Sequence, residues 1–146
     1  MPLSEQIQRI LLESINNGSR KLNLVGNDIG DEGATALAAE LKQMPNLTSL
    51  NLARNNIGDN GARDLAEGLK DTNITSLYLV WNDIGKEGVK ALAEGLKQMH
   101  SLTSLNLAWN DIGDNGAKAL AEGLKDTNIT SLSLVGNKLG NREVRA

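Results

Sequence analysis

The apolar residues of this chain recur in a regular unit, and the first half of the unit alternates with period two. In residues 49–53, Leu50 and Leu52 fall on one side, while Ser49, Asn51 and Ala53 fall on the other. This alternation predicts a short strand with one buried face.

The second half of the unit has the period of a helix. Within residues 31–42, the apolar positions follow the i, i+3, i+4, i+7 spacing: Ala34, Leu37, Ala38 and Leu41. Asp31 stands where it is expected to cap the first turn of that helix. Asp59 and Asp114 recur at the equivalent position, whereas one unit has Lys86 there.

Glycine falls inside three of the predicted helices. Gly68, Gly95 and Gly123 lie at equivalent positions, where each costs about 1 kcal/mol relative to Ala. Close packing between helices would account for them. The equivalent residue of the first unit is Glu40, which indicates instead that glycine is not required.

An asparagine marks the point where each strand is expected to end. The spacings between successive asparagines are 28, 27, 28 and 27 residues, at Asn27, Asn55, Asn82, Asn110 and Asn137. We therefore predict five repeats of two alternating types in residues 19–140, the last one incomplete. We expect the five asparagines to form a ladder whose amides satisfy backbone groups at the strand ends.

One strand and one helix cannot bury their own apolar faces, so the units must stack. Stacking predicts an α/β solenoid in the shape of a horseshoe arc, with a parallel β-sheet on the concave side and α-helices on the convex side.

The unit also carries a known motif. The pattern L-x-x-L-x-L-x-x-N-x-I, the signature of leucine-rich repeats, fits Leu47, Leu50, Leu52, Asn55 and Ile57. With 27 to 28 residues and a full helix in each unit, residues 21–140 resemble the ribonuclease-inhibitor-like leucine-rich repeats. They are also similar to the repeats of NOD-like receptors and of Ran GTPase-activating protein. The resemblance implies a horseshoe that binds other proteins. The absence of Cys is unlike the cysteine-rich mammalian ribonuclease inhibitors, so inhibition of ribonuclease is not inferred.

The two ends of the chain depart from the repeat. After a cap expected at Ser4, one apolar stripe predicts an N-terminal capping helix in residues 1–18: Ile7, Ile10, Leu11 and Ile15. Residues 141–146 form a C-terminal tail that is too short to complete the last helix. A C-terminal edge without a polar cap predicts either self-association or a fragment of a longer array.

Composition narrows the classes of function. A net charge of -3, with no long basic run, argues against nucleic acid or an anionic membrane as the main partner. The absence of Cys excludes disulfides, thiolate metal sites and cysteine nucleophiles. No signal peptide or membrane-spanning segment is recognisable, so a cytoplasmic location is the default expectation.

No catalytic or metal-binding constellation emerges from the sequence. His100, the single histidine, belongs to a helix-to-strand segment and is expected to be a solvated loop residue without a catalytic partner. Positions 1, 5, 6 and 12 of an EF-hand loop are matched in one turn by Asp111, Asn115, Gly116 and Glu122. Position 3 is Gly113, which offers no side-chain ligand, so we interpret the segment as a turn and helix start. We expect no enzyme activity, no cofactor and no metal.

The clearest candidate for function is a set of aromatic residues on the concave face. Residues 47–85 and 102–140 align as 39 pairs, of which eight differ, and the largest changes involve Trp, Tyr and Arg. These residue types are enriched in binding hot spots. We predict that a protein or peptide partner binds there through Asn51, Arg54, Tyr78, Trp81, Asn106 and Trp109.

Three alternatives stay open. The aromatic side chains can fill gaps along the sheet without binding a partner. Near-identical repeats are also typical of an engineered or structural repeat protein that mainly forms homo-oligomers, through the aromatic patch or the C-terminal edge. The resemblance to Ran GTPase-activating protein suggests a third function, the stimulation of a GTPase with Arg54 as a charged contact. No motif for that activity can be mapped onto the sequence, and we expect no stimulation.

Overall fold

A computed structural model describes residues 3–140 as an alternation of helices and short strands. The helices are α1 (Glu5–Asn17), α2 (Gly30–Glu40), α3 (Asp59–Gly68), α4 (Lys86–Gly95) and α5 (Gly113–Gly123). The strands are β1 (Lys21–Asn23), β2 (Ser49–Asn51), β3 (Ser76–Tyr78), β4 (Ser104–Asn106) and β5 (Ser131–Ser133). The strands pair in sequence order into one parallel sheet, with equivalent residues in register.

The core lies between this sheet and α2 to α5. Leu50 and Leu52 are both 0 % exposed, and so are Leu37, Leu65 and Leu92 from the facing helices. Neighbouring strands lie about 4.8 Å apart, whereas packed helices need about 8–10 Å, so the stack bends with the sheet inside. The predicted α/β solenoid, with a parallel sheet on one side and helices on the other, is confirmed.

Helix α1 closes the N-terminal side of the core. The hydroxyl of Ser4 accepts a hydrogen bond from the Ile7 amide at 3.2 Å and caps the helix. Ile7 and Leu11 are buried, while Ile10 and Ile15 pack half-buried against the same core. The tail predicted at residues 141–146 lies outside the described residues.

The two repeat lengths correspond to two ways of turning from helix to strand. The 28-residue repeats continue their helix into a 3₁₀ turn, at Leu41–Gln43 and Leu96–Gln98, and bury Met44 or Met99 directly after it. The 27-residue repeats instead turn at Asp71 and Asp126, which have φ angles of 60° and 64°.

At Gly68 and Gly123 glycine is required by close packing, so the inference from Glu40 is wrong for these two positions, whereas the nearest atom at Gly95 belongs to the flexible side chain of Met99. A Cβ at Gly68 would lie 2.6 Å from the Ala38 Cβ, and one at Gly123 would lie 2.6 Å from the Ala93 carbonyl oxygen. Both partners belong to the helix of the preceding repeat. Glu40 is in the first repeat, and no helix of a preceding repeat lies beside it.

The expectation that Asp31 caps its own helix is also wrong. Helix α2 begins at Gly30 without a side-chain cap. The Asp31 Oδ1 atom instead accepts hydrogen bonds from the amides of Gly58 at 2.6 Å and Gly61 at 3.0 Å, at the start of α3. Asp31 lies inside the first turn of α2 rather than before it, so its side chain reaches the next repeat instead of its own free amides.

The same cap recurs from other repeats. Asp59 accepts from the amides of Gly85 and Gly88 at the start of α4, at 2.7 and 3.0 Å. Asp114 accepts from the amide of Gly140 at 2.7 Å. Each aspartate therefore caps the repeat that follows it.

Lys86 breaks this series and changes the backbone of the next repeat. The capped glycines Gly58 and Gly85 have φ angles of -104° and -107°. Gly113, which follows the repeat with Lys86, has a φ angle of 70°, and Gly30 in the first repeat has 64°. Their helices begin at the glycine itself, one residue earlier than in the capped repeats.

Candidate partner-binding face

Four of the five ladder asparagines are buried between repeats: Asn55, Asn82, Asn110 and Asn137. The Asn82 Oδ1 atom accepts from the amides of Asn55 at 3.0 Å and Ile57 at 2.9 Å. Its Nδ2 group donates to the carbonyl oxygens of Leu52 at 3.0 Å and Leu79 at 3.1 Å. Three of these four partners belong to the preceding repeat, so the side chain joins two repeats.

Asn27 differs because it is in the first repeat. It is half-buried, and among the described residues its Nδ2 group donates only to the Val25 carbonyl oxygen of its own repeat, at 3.2 Å. Asn27 has the ladder position without the inter-repeat bonds of the others.

Three of the predicted contact residues share one row on the exposed face of the sheet. Tyr78 is in register with Asn51 on one side and with Asn106 on the other. All three are half-buried. We call this set, Asn51, Tyr78 and Asn106, the sheet row.

The other three predicted residues form a stack beside the sheet row, just beyond the strand ends. The rings of Trp81 and Trp109 have centroids 5.4 Å apart and planes inclined by 21°. The guanidinium carbon of Arg54 lies 5.4 Å from the centroid of the Trp81 ring, a distance typical of a cation–π contact. We call Arg54, Trp81 and Trp109 the rim stack.

A left-handed backbone orients the rim stack. Arg54, Trp81 and Trp109 have φ angles of 58°, 57° and 59°, a conformation that costs L-residues about 1 kcal/mol or more. The equivalent residues of the first and last repeats are Gly26 and Gly136, with φ angles of 67° and 75°. The shared conformation gives the three large side chains a common direction along the array.

Gly136 completes the rim stack, and sequence reasoning missed this role. A Cβ atom at Gly136 would overlap the six-membered ring of Trp109. The ring therefore lies directly against this glycine. The available signal was the pair Gly26 and Gly136 at the same repeat position, which indicates a positive φ angle there.

The rim stack leaves about half of each tryptophan accessible. Trp81 is 51 % exposed and Trp109 is 47 % exposed. Arg54 approaches Trp81 from the repeat before it, and Trp109 approaches from the repeat after it. Each ring therefore has neighbours in the repeats beside it, and about half of each tryptophan remains accessible.

A row of charged and polar groups follows the rim stack. The Lys138 ammonium lies 3.0 Å from an Asp111 carboxylate oxygen, and the Asn56 amide donates to Asp28 at 3.0 Å. Asp83 lies between these two pairs and makes no side-chain hydrogen bond or ion pair within residues 3–140.

The family follows from the repeats. The Leucine Rich repeat family matches residues 20–38, 43–66, 70–93 and 98–121, which is more than half of the chain. The chain belongs to the leucine-rich-repeat family. No curated protein sequence matches it.

A solved structure similar to this leucine-rich-repeat chain is "Leiomodin-1 Actin-Binding Site 2 (ABS2)". The two share 25% identity with a TM-score of 0.74, over 85% of this chain and 76% of that one. The repeat family and this neighbour support a protein-interaction module and give no indication of catalysis.

The described part of this leucine-rich-repeat protein was also searched for a metal site, for a partner of the single histidine and for a membrane-spanning helix. Within residues 3–140, no three His, Cys, Asp or Glu side chains are grouped to hold a metal ion. His100 is exposed, 3.9 Å from an Asp71 carboxylate oxygen. No helix among these residues is long and apolar enough to cross a membrane.

Proposed function

We propose that this leucine-rich-repeat protein binds a protein or peptide partner through its concave sheet face, with the rim stack at the centre of the contact. The observation that carries the proposal is the exposure of Trp81 and Trp109, 51 % and 47 %, on a face where both are already held in place. Five large apolar side chains are exposed in the described residues, and four of them lie on this face: Val25, Trp81, Trp109 and Val135, but not Leu12.

The packing of the rim stack favours binding over simple gap filling. Side chains that are ordered before a partner arrives lose little conformational entropy on binding. Residues that only fill gaps between repeats would be largely covered, whereas about half of each tryptophan remains accessible. Tryptophan and arginine are also the residue types that contribute most per contact at protein interfaces.

We further infer that the repeats are of the ribonuclease-inhibitor-like type. The support is the alternation of 28- and 27-residue units, each with a helix of 10 or 11 residues where the described chain completes it. We also propose a cytoplasmic location, the default expectation from the sequence, so searches for partners should use cytoplasmic extracts.

Two steps test the proposed function. Sedimentation velocity over a wide concentration range first establishes the oligomeric state of the wild type and of the Trp81→Ala, Trp109→Ala double variant. Affinity purification from extract then compares the wild type, this double variant and a convex-face control, Lys90→Ala with Glu122→Ala. We expect a monomer and a set of retained proteins that only the tryptophan variant loses. The same set on all three proteins would contradict the proposal.

Self-association is the competing outcome of the first step. Leu132 and Leu134 of the last repeat are half-buried, whereas their counterparts Leu105 and Leu107 are 1 % and 0 % exposed. A dimer that persists in the tryptophan variant would place the contact at this C-terminal edge. A dimer that the variant abolishes would make the rim stack a self-interface.

Actin is a second candidate partner because of the leiomodin neighbour. The similarity extends over most of both chains. Co-sedimentation with filamentous actin, and gel filtration with monomeric actin, test it directly with the same variants. If neither form is retained by the wild type, actin is rejected, while a concave-face partner of another kind is not.

A further inference from the structure

We propose that the segment bound on this face is a proline-rich chain in the polyproline II conformation, lying along the array across β2, β3 and β4. The inference rests on the proposed function and names the class of partner for the same face. The sheet row and rim stack carry hydrogen-bond donors without acceptors in the described residues, and the two asparagine donors are spaced to match such a chain.

The sheet row offers donors whose matching acceptors are already used. The Oδ1 atoms of Asn51 and Asn106 accept the amides of Ala53 and Ala108, both at 3.0 Å. Because only oxygen can accept from an N–H group, these bonds fix the orientation of both side-chain amides. The two Nδ2 groups make no hydrogen bond within residues 3–140 and are available as donors.

The rim stack adds donors of the same kind. An indole nitrogen is a donor only, and neither Trp81 nor Trp109 uses it within the described residues. About half of each tryptophan is exposed, so a ligand on this face can contact both side chains. Tyr78 lies between the two asparagines in the sheet row.

A proline-rich segment is the complementary partner for such a surface. Proline has a carbonyl acceptor and no N–H donor, and the polyproline II backbone makes no internal hydrogen bonds. An ordinary extended chain would bring additional N–H groups that need acceptors. Aromatic-lined grooves of donor side chains are the general means by which proteins bind polyproline II segments.

The spacing of the donors matches one turn of that helix. Asn51 and Asn106 are separated by two strand positions, which corresponds to about 9.6 Å at about 4.8 Å per strand. Polyproline II has three residues per turn and rises about 9.3 Å in that turn. The carbonyl groups of residues i and i+3 can therefore meet the two Nδ2 groups, with Tyr78 against the prolines between them.

The charge of the surface agrees with this assignment. The residues that flank the sheet row on β2 to β4 and just after them are uncharged: Ser49, Ser76, Ser104, Ala53, Val80 and Ala108. Binding an uncharged segment there removes no charged side chain of the sheet row from water. The guanidinium of Arg54 stays at one end, over Trp81.

The test is a fluorescence titration with an N-acetylated, C-amidated hexaproline peptide and a Gly-Ser peptide of equal length as the reference. Trp81 and Trp109 are the only two tryptophans of the chain, so the signal comes from the rim stack. We expect a saturable change with hexaproline alone. No saturable change with hexaproline up to millimolar concentration would overturn the inference.

Three matched variants locate the contact. Asn51→Asp and Asn106→Asp keep an oxygen for the Ala53 or Ala108 amide but remove the donor, and each is expected to weaken binding about tenfold. Asn23→Asp is the control, because its Oδ1 atom makes the same local bond, to the Val25 amide at 3.1 Å. Asn23 lies one strand away from Asn51, which is about half a turn of the proposed ligand, so the affinity of Asn23→Asp for hexaproline should equal that of the wild type.

The outcomes separate this inference from the proposed function. Equal affinities in all three variants would exclude the proposed hydrogen bonds even if hexaproline binds. Partners lost only by the tryptophan variant, without hexaproline binding, would support the proposed function and reject the polyproline II ligand. Circular dichroism melts of each variant verify that the fold is retained.

Discussion

Replacing Asn82 by alanine should destabilise the array far more than replacing Asn27, although the two residues occupy the same repeat position. In Asn82→Ala, three backbone groups lose the only hydrogen-bond partner that they have within residues 3–140: the amides of Asn55 and Ile57 and the carbonyl of Leu52. The Leu79 carbonyl keeps a second donor, the Asn110 amide, at 2.9 Å.

The magnitude follows from these three groups. A buried polar group without a partner costs about 1–3 kcal/mol, so Asn82→Ala should lower the free energy of unfolding by at least about 3 kcal/mol. Asn27 makes one exposed hydrogen bond to Val25 through its side chain, and its loss should cost at most about 1 kcal/mol. The predicted difference between the two variants is therefore at least about 2 kcal/mol.

Urea unfolding followed by circular dichroism at 222 nm measures this difference, with tryptophan fluorescence as a second probe. The midpoint should fall clearly in Asn82→Ala and barely in Asn27→Ala, with similar slopes. If the two variants unfold within about 1 kcal/mol of each other, the ladder bonds do not join the repeats in the way we describe.

Three further predictions concern single repeats. Lys86→Asp places a carboxylate at the position from which Asp59 caps the next repeat, and because the Gly113 amide already donates to the Asn137 carbonyl oxygen at 2.9 Å, the free energy of unfolding should rise by at most about 1 kcal/mol. Lys86→Glu makes the same charge change with a longer side chain, and an equal gain in both variants would rule out capping. By thermal melts, Gly123→Ala should be destabilising by about 1–3 kcal/mol because of backbone overlap. Gly95→Ala should leave the melting temperature unchanged or raise it, because the atom nearest to Gly95 belongs to the flexible side chain of Met99. Equal losses of stability in Gly95→Ala and Gly123→Ala would contradict the packing argument. Gly136→Ala should displace the Trp109 ring and alter the tryptophan emission, whereas an unchanged spectrum would disprove that contact.

The fold could be predicted from the sequence because its rules operate within one repeat. Leu50 and Leu52 alternate, and Leu37 and Leu41 recur with the helix period, so each unit specifies its own strand, helix and buried side. Stacking then follows from the apolar surface that a single unit leaves uncovered.

The contacts between repeats could not be read in the same way. The target of Asp31 and the need for glycine at Gly68 depend on the distance between neighbouring helices, which no pattern within one repeat contains. Glu40 was misleading because the first repeat lacks the neighbour that imposes the constraint.

The candidate site was predicted in part. The position of the strands was enough to expect Asn51, Tyr78 and Asn106 on one face. That Trp81 and Trp109 stack on each other depends on a left-handed backbone. Large residues rarely adopt it, and only glycine at the equivalent positions indicates it.

The absence of an aspartate at Lys86 also has a mechanical consequence. The junction between the third and fourth repeats lacks the carboxylate contact that joins the other repeats. Trp81 and Trp109 belong to these two repeats and span that junction. A ligand that binds both rings would add a second link across this junction and stiffen the arc where the carboxylate is missing.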